Sequence, residues 1–408
     1  MMTMAYPSGY ATYHNSVTCH LKIKSMLFKE VSETDETPQE RGETTYDYLC
    51  RSSYFQAKWV KDTLNIWYSK IKVEDRSEIE RRIKTEFESI FSEMLIHNLF
   101  TNLGYELEEH PEIIGTTKRP DFKAENGDDK IYLEVKIVND ESTEESAIKK
   151  VRESIYQQID DIKSPNYFFN LSKLSQKKKG QPSLKKFKAQ VAELIAKSDP
   201  EEDEKKFQDS GYSNLPTLNY EDENIRIEIQ LIPRVNLDDE YEDKGSIGLY
   251  DMKSWFGTPK EAIKKGVKKK ATRYGSKMDL PFIVCIQCSS DRSYYEQDVE
   301  TGLYGDTWQD ITPGEERTGR DLNGSFTTNG GQYSRVSAVL SFSTNPYNLY
   351  HTKYCLFLNP NANHKIDYSG VLRQCEMVDQ ENVKYVEGKS LFEILDIADE
   401  WKTASNKW

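Results

Sequence analysis

The chain has 408 residues, and its 68 acidic and 55 basic side chains give a formal net charge of −13. This length allows a large hydrophobic core and about two or three domains. No run of about eighteen apolar residues is present, so we expect no membrane-spanning helix and no membrane partner. Residues 1–17 lack the basic-then-apolar order of a signal peptide, and the dispersed cysteines are typical of a reduced, cytoplasmic protein.

The N-terminal part of the chain predicts one strand and two helices. Residues 18–28 have a strand-like composition, and an acidic linker follows at 31–43. Apolar side chains at helical spacing predict a helix from Tyr46 to Ile71 and another from about Glu78 to Leu103. The apolar stripe of the second helix consists of Ile83, Phe87, Ile90, Phe91, Met94 and Leu95. We expect residues 1–75 to form an N-terminal extension.

A β-hairpin is predicted around Asn126-Gly127, because Asn-Gly between two alternating runs is the strongest short-range hairpin signal. If the loop spans Asn126 to Asp129, Asp121 lies directly opposite Glu134. If the turn is the tighter Asn-Gly pair, Asp121 faces Tyr132 and Glu134 becomes its diagonal neighbour. In both registers the two carboxylates share one face, because side chains alternate along a strand.

The same alternation gives the second strand of the hairpin an apolar face and a polar face. The side chains that point to the apolar side are Ile131, Leu133, Val135 and Ile137. Glu134 and Lys136 point the other way, so two acids and a lysine would gather on one side of the strand pair. Carboxylate oxygens are ligands that hard divalent cations prefer, and a nearby lysine can stabilise charge on a phosphate. The hairpin therefore predicts a metal site with Lys136 beside it.

These residues resemble the signature of the PD-(D/E)xK nucleases, which have the restriction-endonuclease-like fold. The resemblance rests on Pro120-Asp121 followed by Glu134-Val135-Lys136. It implies an α/β fold with a central mixed β-sheet flanked by helices, here with additional strands and helices. It also implies that Asp121 and Glu134 bind Mg²⁺ or Mn²⁺, and that Lys136 orients or activates the attacking water.

The family often adds an acidic residue from the preceding helix, and Glu93 is our candidate. Glu93 borders the apolar stripe of the second helix, whereas Glu86 and Glu88 are competitors with weaker placement. The order of helix, short strand at 105–109 and hairpin reproduces the order of the nuclease core. The resemblance thus implies a catalytic set of Asp121, Glu134, Lys136 and Glu93, in which the three acids are the metal ligands.

The remainder of the chain alternates between predicted helices and strands. Helices are predicted at 144–163, at 183–198, from Pro259 onward and at 391–401. Strands are predicted at 166–172, 224–234, 281–288, 334–342 and 353–358, and a long loop at 290–333. We expect residues 76–375 to form one extended nuclease-like domain and residues 376–408 to form a C-terminal helical tail.

A second resemblance covers a longer part of the chain, from about residue 80 to residue 368. It is to a widespread group of bacterial proteins of unassigned function. The matching phrases are FSEMLIHNLFTNLGYELE, RPDF, KKKATRYGSKMDLPFIVCIQ, DVETGLYGD, RVSAVLSFS and LFLNPNANHKI. Many members of that group carry a different residue at the position of Lys136, whereas this chain has the fuller nuclease motif. The resemblance implies one continuous domain.

Two lysine-rich stretches are candidate nucleic-acid contacts despite the acidic net charge. They lie at 172–188 and 264–277, and a phosphate-binding groove needs only local positive potential. The candidate side chains are Lys177, Lys178, Lys179, Lys185, Lys186, Lys268, Lys269, Lys270 and Arg273. The alternative is that each cluster is an ordinary solvated face.

These patterns predict a cytoplasmic nuclease that hydrolyses phosphodiester bonds with Mg²⁺ or Mn²⁺. DNA is the expected substrate, and the sequence leaves the choice between DNA and RNA open. Bacterial defence or DNA processing would suit such an enzyme. The alternative is a catalytically inactive nucleic-acid-binding or scaffold protein that keeps the nuclease fold. Strand state, sequence specificity, endo- or exonuclease action, self-association and protein partners are left open by the sequence.

Overall fold

A computed structural model of the chain describes residues 26–40, 42–138, 143–234, 246–250, 259–274, 278–288, 296–312, 315–328, 332–395 and 397. Most of the strand predicted at 18–28 therefore lies outside the described residues. Within the described part, no helix is long and apolar enough to cross a membrane.

The helices are α1 Thr45–Arg51, α2 Phe55–Lys70, α3 Arg76–Arg82, α4 Phe87–Asn102, α5 Thr143–Asp160, α6 Lys185–Lys197, α7 Pro200–Ser210, α8 Pro259–Ala271, α9 Glu296–Tyr304 and α10 Leu391–Ile394. The strands are β1 Glu106–Glu109, β2 Phe122–Asn126, β3 Asp129–Val138, β4 Tyr167–Gln176, β5 Thr217–Glu221, β6 Ile225–Pro233, β7 Ile247–Leu249, β8 Phe282–Cys288, β9 Thr307–Thr312, β10 Glu315–Arg320, β11 Ala338–Ser343, β12 Lys353–Leu358, β13 Gln374–Met377 and β14 Val383–Val386.

An eight-stranded mixed sheet organises the larger part of the fold, with strand order β1-β2-β3-β8-β11-β12-β13-β14. Strand β2 pairs antiparallel with β1 and β3, whereas β8 pairs parallel with both of its neighbours, β3 and β11. Parallel neighbours are normally buried on both faces, and β8 accordingly has no exposed residue. The α/β class predicted from the sequence is confirmed.

Helices cover both faces of this sheet. On one face, α2 and α4 pack against a core that includes Leu133 and Val135 of β3. On the other face, α8 and α9 pack against a second core that includes Tyr132 and Val138 of the same strand. The two faces of β3 thus belong to different cores, as the period-two alternation of a strand requires.

A smaller body lies between β3 and α8 in the chain. Its four-stranded sheet has the order β5-β6-β4-β7, and α5 and α6 contribute to its own hydrophobic core. The alternating burial along β6 matches the alternation expected from the sequence at 224–234. The remaining two strands, β9 and β10, form a separate antiparallel pair.

The hydrophobic cores do not follow the predicted segment limits. Residues from 27 to 71 share one core with α4, β2 and β3, and α10 packs into the same core. The residues of α5 to β7 have a core of their own within the segment predicted as one domain. A core reflects contacts between distant parts of the chain, which composition and linker signals do not reveal.

Several predicted elements differ from those observed. The helix predicted at 78–103 is two helices, because the N–H groups of Thr85 and Glu86 both bond to the Arg82 carbonyl and close α3. The helix predicted from Tyr46 to Ile71 is also divided, into α1 and α2. The predicted loop at 290–333 contains α9, β9 and β10.

Candidate active site

The hairpin adopts the first of the two predicted registers. Glu125 pairs with Lys130 and Asn126 with Asp129, which leaves Gly127 and Asp128 as the loop. Gly127 has a φ of 61°, a conformation that glycine adopts without steric cost. The last pair at the other end is Phe122 with Leu133, so Asp121, which immediately precedes β2, lies beside Glu134.

The polar face of β3 is covered rather than open to solvent. Glu134 is fully buried, with 0% exposure, and Lys136 is half-buried. Helix α8 lies close above this face at Gly266, where an added Cβ would come within 2.8 Å of the Val138 Cγ2 atom. The glycine therefore allows the helix to approach β3 and cover Glu134.

Both carboxylate oxygens of Glu134 are bound by side chains from the end of α8. Oε1 accepts hydrogen bonds from the Lys270 ammonium and, at 2.7 Å, from the Arg273 guanidinium. Oε2 accepts a hydrogen bond from the Tyr274 hydroxyl, which also contacts the Arg119 carbonyl at 3.0 Å. Burial and the Glu134 charge raise the pKa of Tyr274, so the phenol stays a donor. Glu134 thus has two cationic partners and one neutral donor.

Asp121 is held at the edge of the same site. Its Oδ2 atom accepts the Val135 backbone N–H at 2.6 Å, and its carbonyl accepts the His110 N–H at 3.0 Å. Burial and, after it, the neighbouring Glu134 charge raise the pKa of Asp121 to about 6, whereas Lys270 opposes the rise. The two carboxyl groups therefore repel each other, and a nearby cation would lower their energy.

Glu93 lies on α4 and lines the same groove as Asp121. Its two oxygens accept hydrogen bonds from the Arg82 guanidinium at 3.0 and 2.9 Å, and Oε1 also accepts the Ser89 hydroxyl at 3.3 Å. Of the two competing acids, Glu86 accepts a hydrogen bond from the Arg82 guanidinium at 3.1 Å. Burial raises the pKa of the other, Glu88. The Arg82 guanidinium thus binds both carboxylate oxygens of Glu93. The role of Glu93 as a third metal ligand stays a prediction.

Lys136 points into the groove without a carboxylate of its own. Within the described residues it forms no ion pair, and it lies near Lys269 and Lys270. Burial lowers the pKa of Lys136, and the two neighbouring cations lower it further. A phosphate in the groove would relieve this repulsion.

The groove itself has a volume of about 650 Å³ and is open to solvent. Its acidic lining residues are Glu93 and Asp121. Its basic lining residues are Arg82, Lys118, Lys136, Lys269, Lys270 and Arg273. Positive charges thus outnumber negative ones around the two acids, and a cleft with this imbalance attracts anions although the whole chain is acidic.

The two lysine-rich stretches have different surroundings. In the smaller body, Lys177 pairs with Glu221 at 2.7 Å and Lys178 with Glu223 at 2.8 Å. On α8, Lys269 lines the groove, whereas Lys270 is buried against Glu134 and so differs from the surface contact that was expected. The stretch on α8 therefore contributes directly to the groove.

The chemistry of Asp121 and Glu134 fits a hard divalent cation. Mg²⁺ is commonly bound by one or two carboxylates and keeps several waters. Burial and the Glu134 charge raise the pKa of Asp121, and a bound cation would oppose that rise. Among the described residues, no group of three or more His, Cys, Asp and Glu side chains is placed to hold a metal.

Sequence reasoning missed Tyr274, Arg82 and Lys118 as parts of this site. Lys270 lies in the last turn of α8, and Arg273 and Tyr274 follow three and four residues later, a spacing that brings side chains together on one side of a helical turn. This spacing predicts that the three side chains lie together, but it does not identify Glu134 as their partner. No family model, curated protein or solved structure matches this chain.

Proposed function

We propose that this protein is a divalent-metal-dependent nuclease that hydrolyses phosphodiester bonds in DNA. One observation carries the proposal: Asp121, Lys136 and Glu93 come from three different elements and line one groove above the buried Glu134. We further propose that α4, β1 and the β2–β3 hairpin are the core of a restriction-endonuclease-like fold. The order of these elements and the mixed sheet support that assignment.

Each residue has a separate role in the proposed reaction. Asp121 and Glu134 would hold Mg²⁺ or Mn²⁺, and the bound cation would neutralise phosphate charge and lower the pKa of its water. The Lys136 ammonium would stabilise the charge that develops on the scissile phosphate. Lys118 and Lys269, at the groove wall, would bind neighbouring phosphates and set the position of the strand.

A second candidate function is a catalytically inactive nucleic-acid-binding protein. It is favoured by one specific observation, namely that Lys270, Arg273 and Tyr274 already bind both oxygens of Glu134. Such a protein would use the positive groove without cutting the strand. The two candidates share the groove and differ only in whether a divalent cation reaches the carboxylates.

Parallel binding and cleavage assays separate the two functions. Duplex DNA, single-stranded DNA and single-stranded RNA are incubated with the full chain in Mg²⁺, Mn²⁺ or EDTA. The nuclease proposal expects DNA cleavage with metal and none with EDTA. Binding of DNA without cleavage in either metal would support the silent binder instead.

The groove surface can be tested independently of cleavage. Lys269→Gln should weaken DNA binding in EDTA and reduce the slope of log affinity against log salt by about 1, because one phosphate contact is lost. Lys185→Gln is the matched control, since Lys185 is exposed at the start of α6 in the smaller body. Equal effects of the two substitutions would argue against the groove as the binding surface.

A further inference from the structure

The Lys270 side chain places a positive charge at Glu134, where the proposed function requires a divalent metal ion. The Lys270 ammonium binds Oε1 of Glu134, and Lys270 and Asp121 line the same groove. One ammonium group therefore occupies a carboxylate oxygen that the proposed metal would need. Lys270 is itself buried, with 9% exposure, so this interaction is weakly screened by solvent.

The position of Lys270 is built into the packing of α8. Ile263 and Val267 of the same helix are fully buried in the core beneath it, and Gly266 allows close approach to β3. Tyr274 anchors the end of this segment to the Arg119 carbonyl. The helix is thus held in place while the long lysine side chain keeps its own rotatable bonds.

The Lys270 side chain also has access to the groove. It lines the groove together with Lys136 and Lys269, so a rotation of its side chain would bring the ammonium towards solvent and any bound phosphate. Arg273 shares Oε1 of Glu134, but its side chain is 39% exposed and its bond to Oε1 is 2.7 Å long. Lys270 is therefore the more deeply seated of the two cations.

On the basis of the proposed nuclease function, we propose that Lys270 is a built-in countercation that competes with divalent metal for Glu134. In the metal-free protein it neutralises the buried Glu134 carboxylate. Metal binding displaces the ammonium into the groove, where a nucleic-acid phosphate becomes its new partner. Metal and nucleic acid consequently bind cooperatively, because each stabilises the state that the other requires.

The test is the affinity of the full chain for Mn²⁺ alone, measured by calorimetry or by electron paramagnetic resonance of free Mn²⁺. Lys270→Met removes the competing charge, so its Mn²⁺ affinity should be at least about tenfold higher than that of the wild type. Lys269→Met is the matched control, because it lies next to Lys270 and lines the same groove without touching Glu134. Its Mn²⁺ affinity should change much less.

A further variant keeps the test decisive if Lys270→Met does not fold. Arg273→Met removes the more exposed cation from the same oxygen and should also tighten Mn²⁺ binding. Unchanged or weaker binding in the folded variants overturns the countercation while leaving the nuclease proposal intact. Binding to Lys270→Met but not to wild type supports the countercation and refutes metal-dependent cleavage by the wild type. No binding in any variant overturns both.

Discussion

Lys270 of α8 forms an ion pair with the fully buried Glu134 of β3. Asp121, which immediately precedes the neighbouring strand β2, lies beside Glu134. An isolated buried charge is costly in free energy. The ion pair with Lys270 therefore offsets the cost of burying the Glu134 carboxylate beside Asp121. It also means that the proposed metal site is already partly neutralised. Stability and proposed function therefore depend on the same few side chains, and substitutions should separate the two.

Replacing Glu134 should lower the stability of the fold in addition to removing a proposed metal ligand. Glu134→Ala leaves Lys270 buried without its carboxylate, and breaking a buried pair in this way costs about 3–5 kcal/mol. The free energy of unfolding from urea titration measures this loss. Glu125→Ala, on the exposed part of the same hairpin, is the control and should change the stability little. Similar losses for both variants would mean that the Glu134 cluster does not stabilise the fold.

Replacing Lys136 should affect catalysis and spare the fold. Lys136 is half-buried and has no ion-pair partner among the described residues, so Lys136→Ala leaves no buried carboxylate unpaired. We expect the cleavage rate to fall on the order of hundredfold, because the charge that develops on the phosphate loses the ammonium group proposed to stabilise it. The melting temperature and the DNA affinity should change little. Lys130→Ala, at the exposed start of β3, should cleave like the wild type.

Glu93 should matter less than Asp121 for cleavage. Arg82 holds both oxygens of Glu93, so metal binding should depend less on Glu93 than on Asp121. We expect a loss of about tenfold in single-turnover rate for Glu93→Gln, against hundredfold or more for Asp121→Asn. Glu86→Gln, which also contacts Arg82, is the control. Equal losses for Glu93→Gln and Asp121→Asn would instead assign Glu93 as a metal ligand.

Glu109, which lines a small cavity together with Arg82 and Glu93, should make the stability depend on pH. Burial, then the charges of Asp75 and Glu93, raises the pKa of Glu109 to about 7 from its ordinary 4.5. A raised folded-state pKa gives stability that is present below pH 4.5 and is lost as the pH rises through 7.

The pH dependence is best measured as a difference between variants. Glu109→Gln removes the penalty of the ionised carboxyl, so the variant should melt at a higher temperature than the wild type above pH 7. The difference should shrink steadily between pH 7 and pH 4.5. Glu108→Gln, on the exposed side of the same strand, should show no such trend. A constant difference across this range would exclude Glu109 as its source.

The sequence predicted the hairpin and its acids because local signals are sufficient there. Asn126-Gly127 defines the turn, and the alternation along β3 puts Glu134 and Lys136 on one face. What covers that face could not be predicted in the same way. The approach of α8 depends on packing between residues 134 and 270, which are separated by the whole smaller body. Long-range contacts of this kind leave no periodic signal.

The division of helices was also beyond the sequence. Apolar spacing continues from α3 into α4, so periodicity alone predicts one helix across residues 83–86. The break allows Arg82 to reach Glu93, an interaction that becomes visible only in three dimensions. The candidate acids were therefore predictable as a group, whereas their cationic partners were not.

The central claim is that Asp121 and Glu134 support metal-dependent cleavage of DNA. The most direct measurement compares the wild type, Asp121→Asn and Asp128→Asn in plasmid and oligonucleotide cleavage with Mg²⁺, Mn²⁺ or EDTA. Asp128 is an exposed acid in the turn of the same hairpin and serves as the control. We expect wild type and Asp128→Asn to cleave DNA with metal, Asp121→Asn to lose at least about hundredfold in rate, and no variant to cleave in EDTA. Cleavage that survives in Asp121→Asn, or wild-type protein that binds DNA and never cuts it in either metal, would contradict the proposed nuclease function.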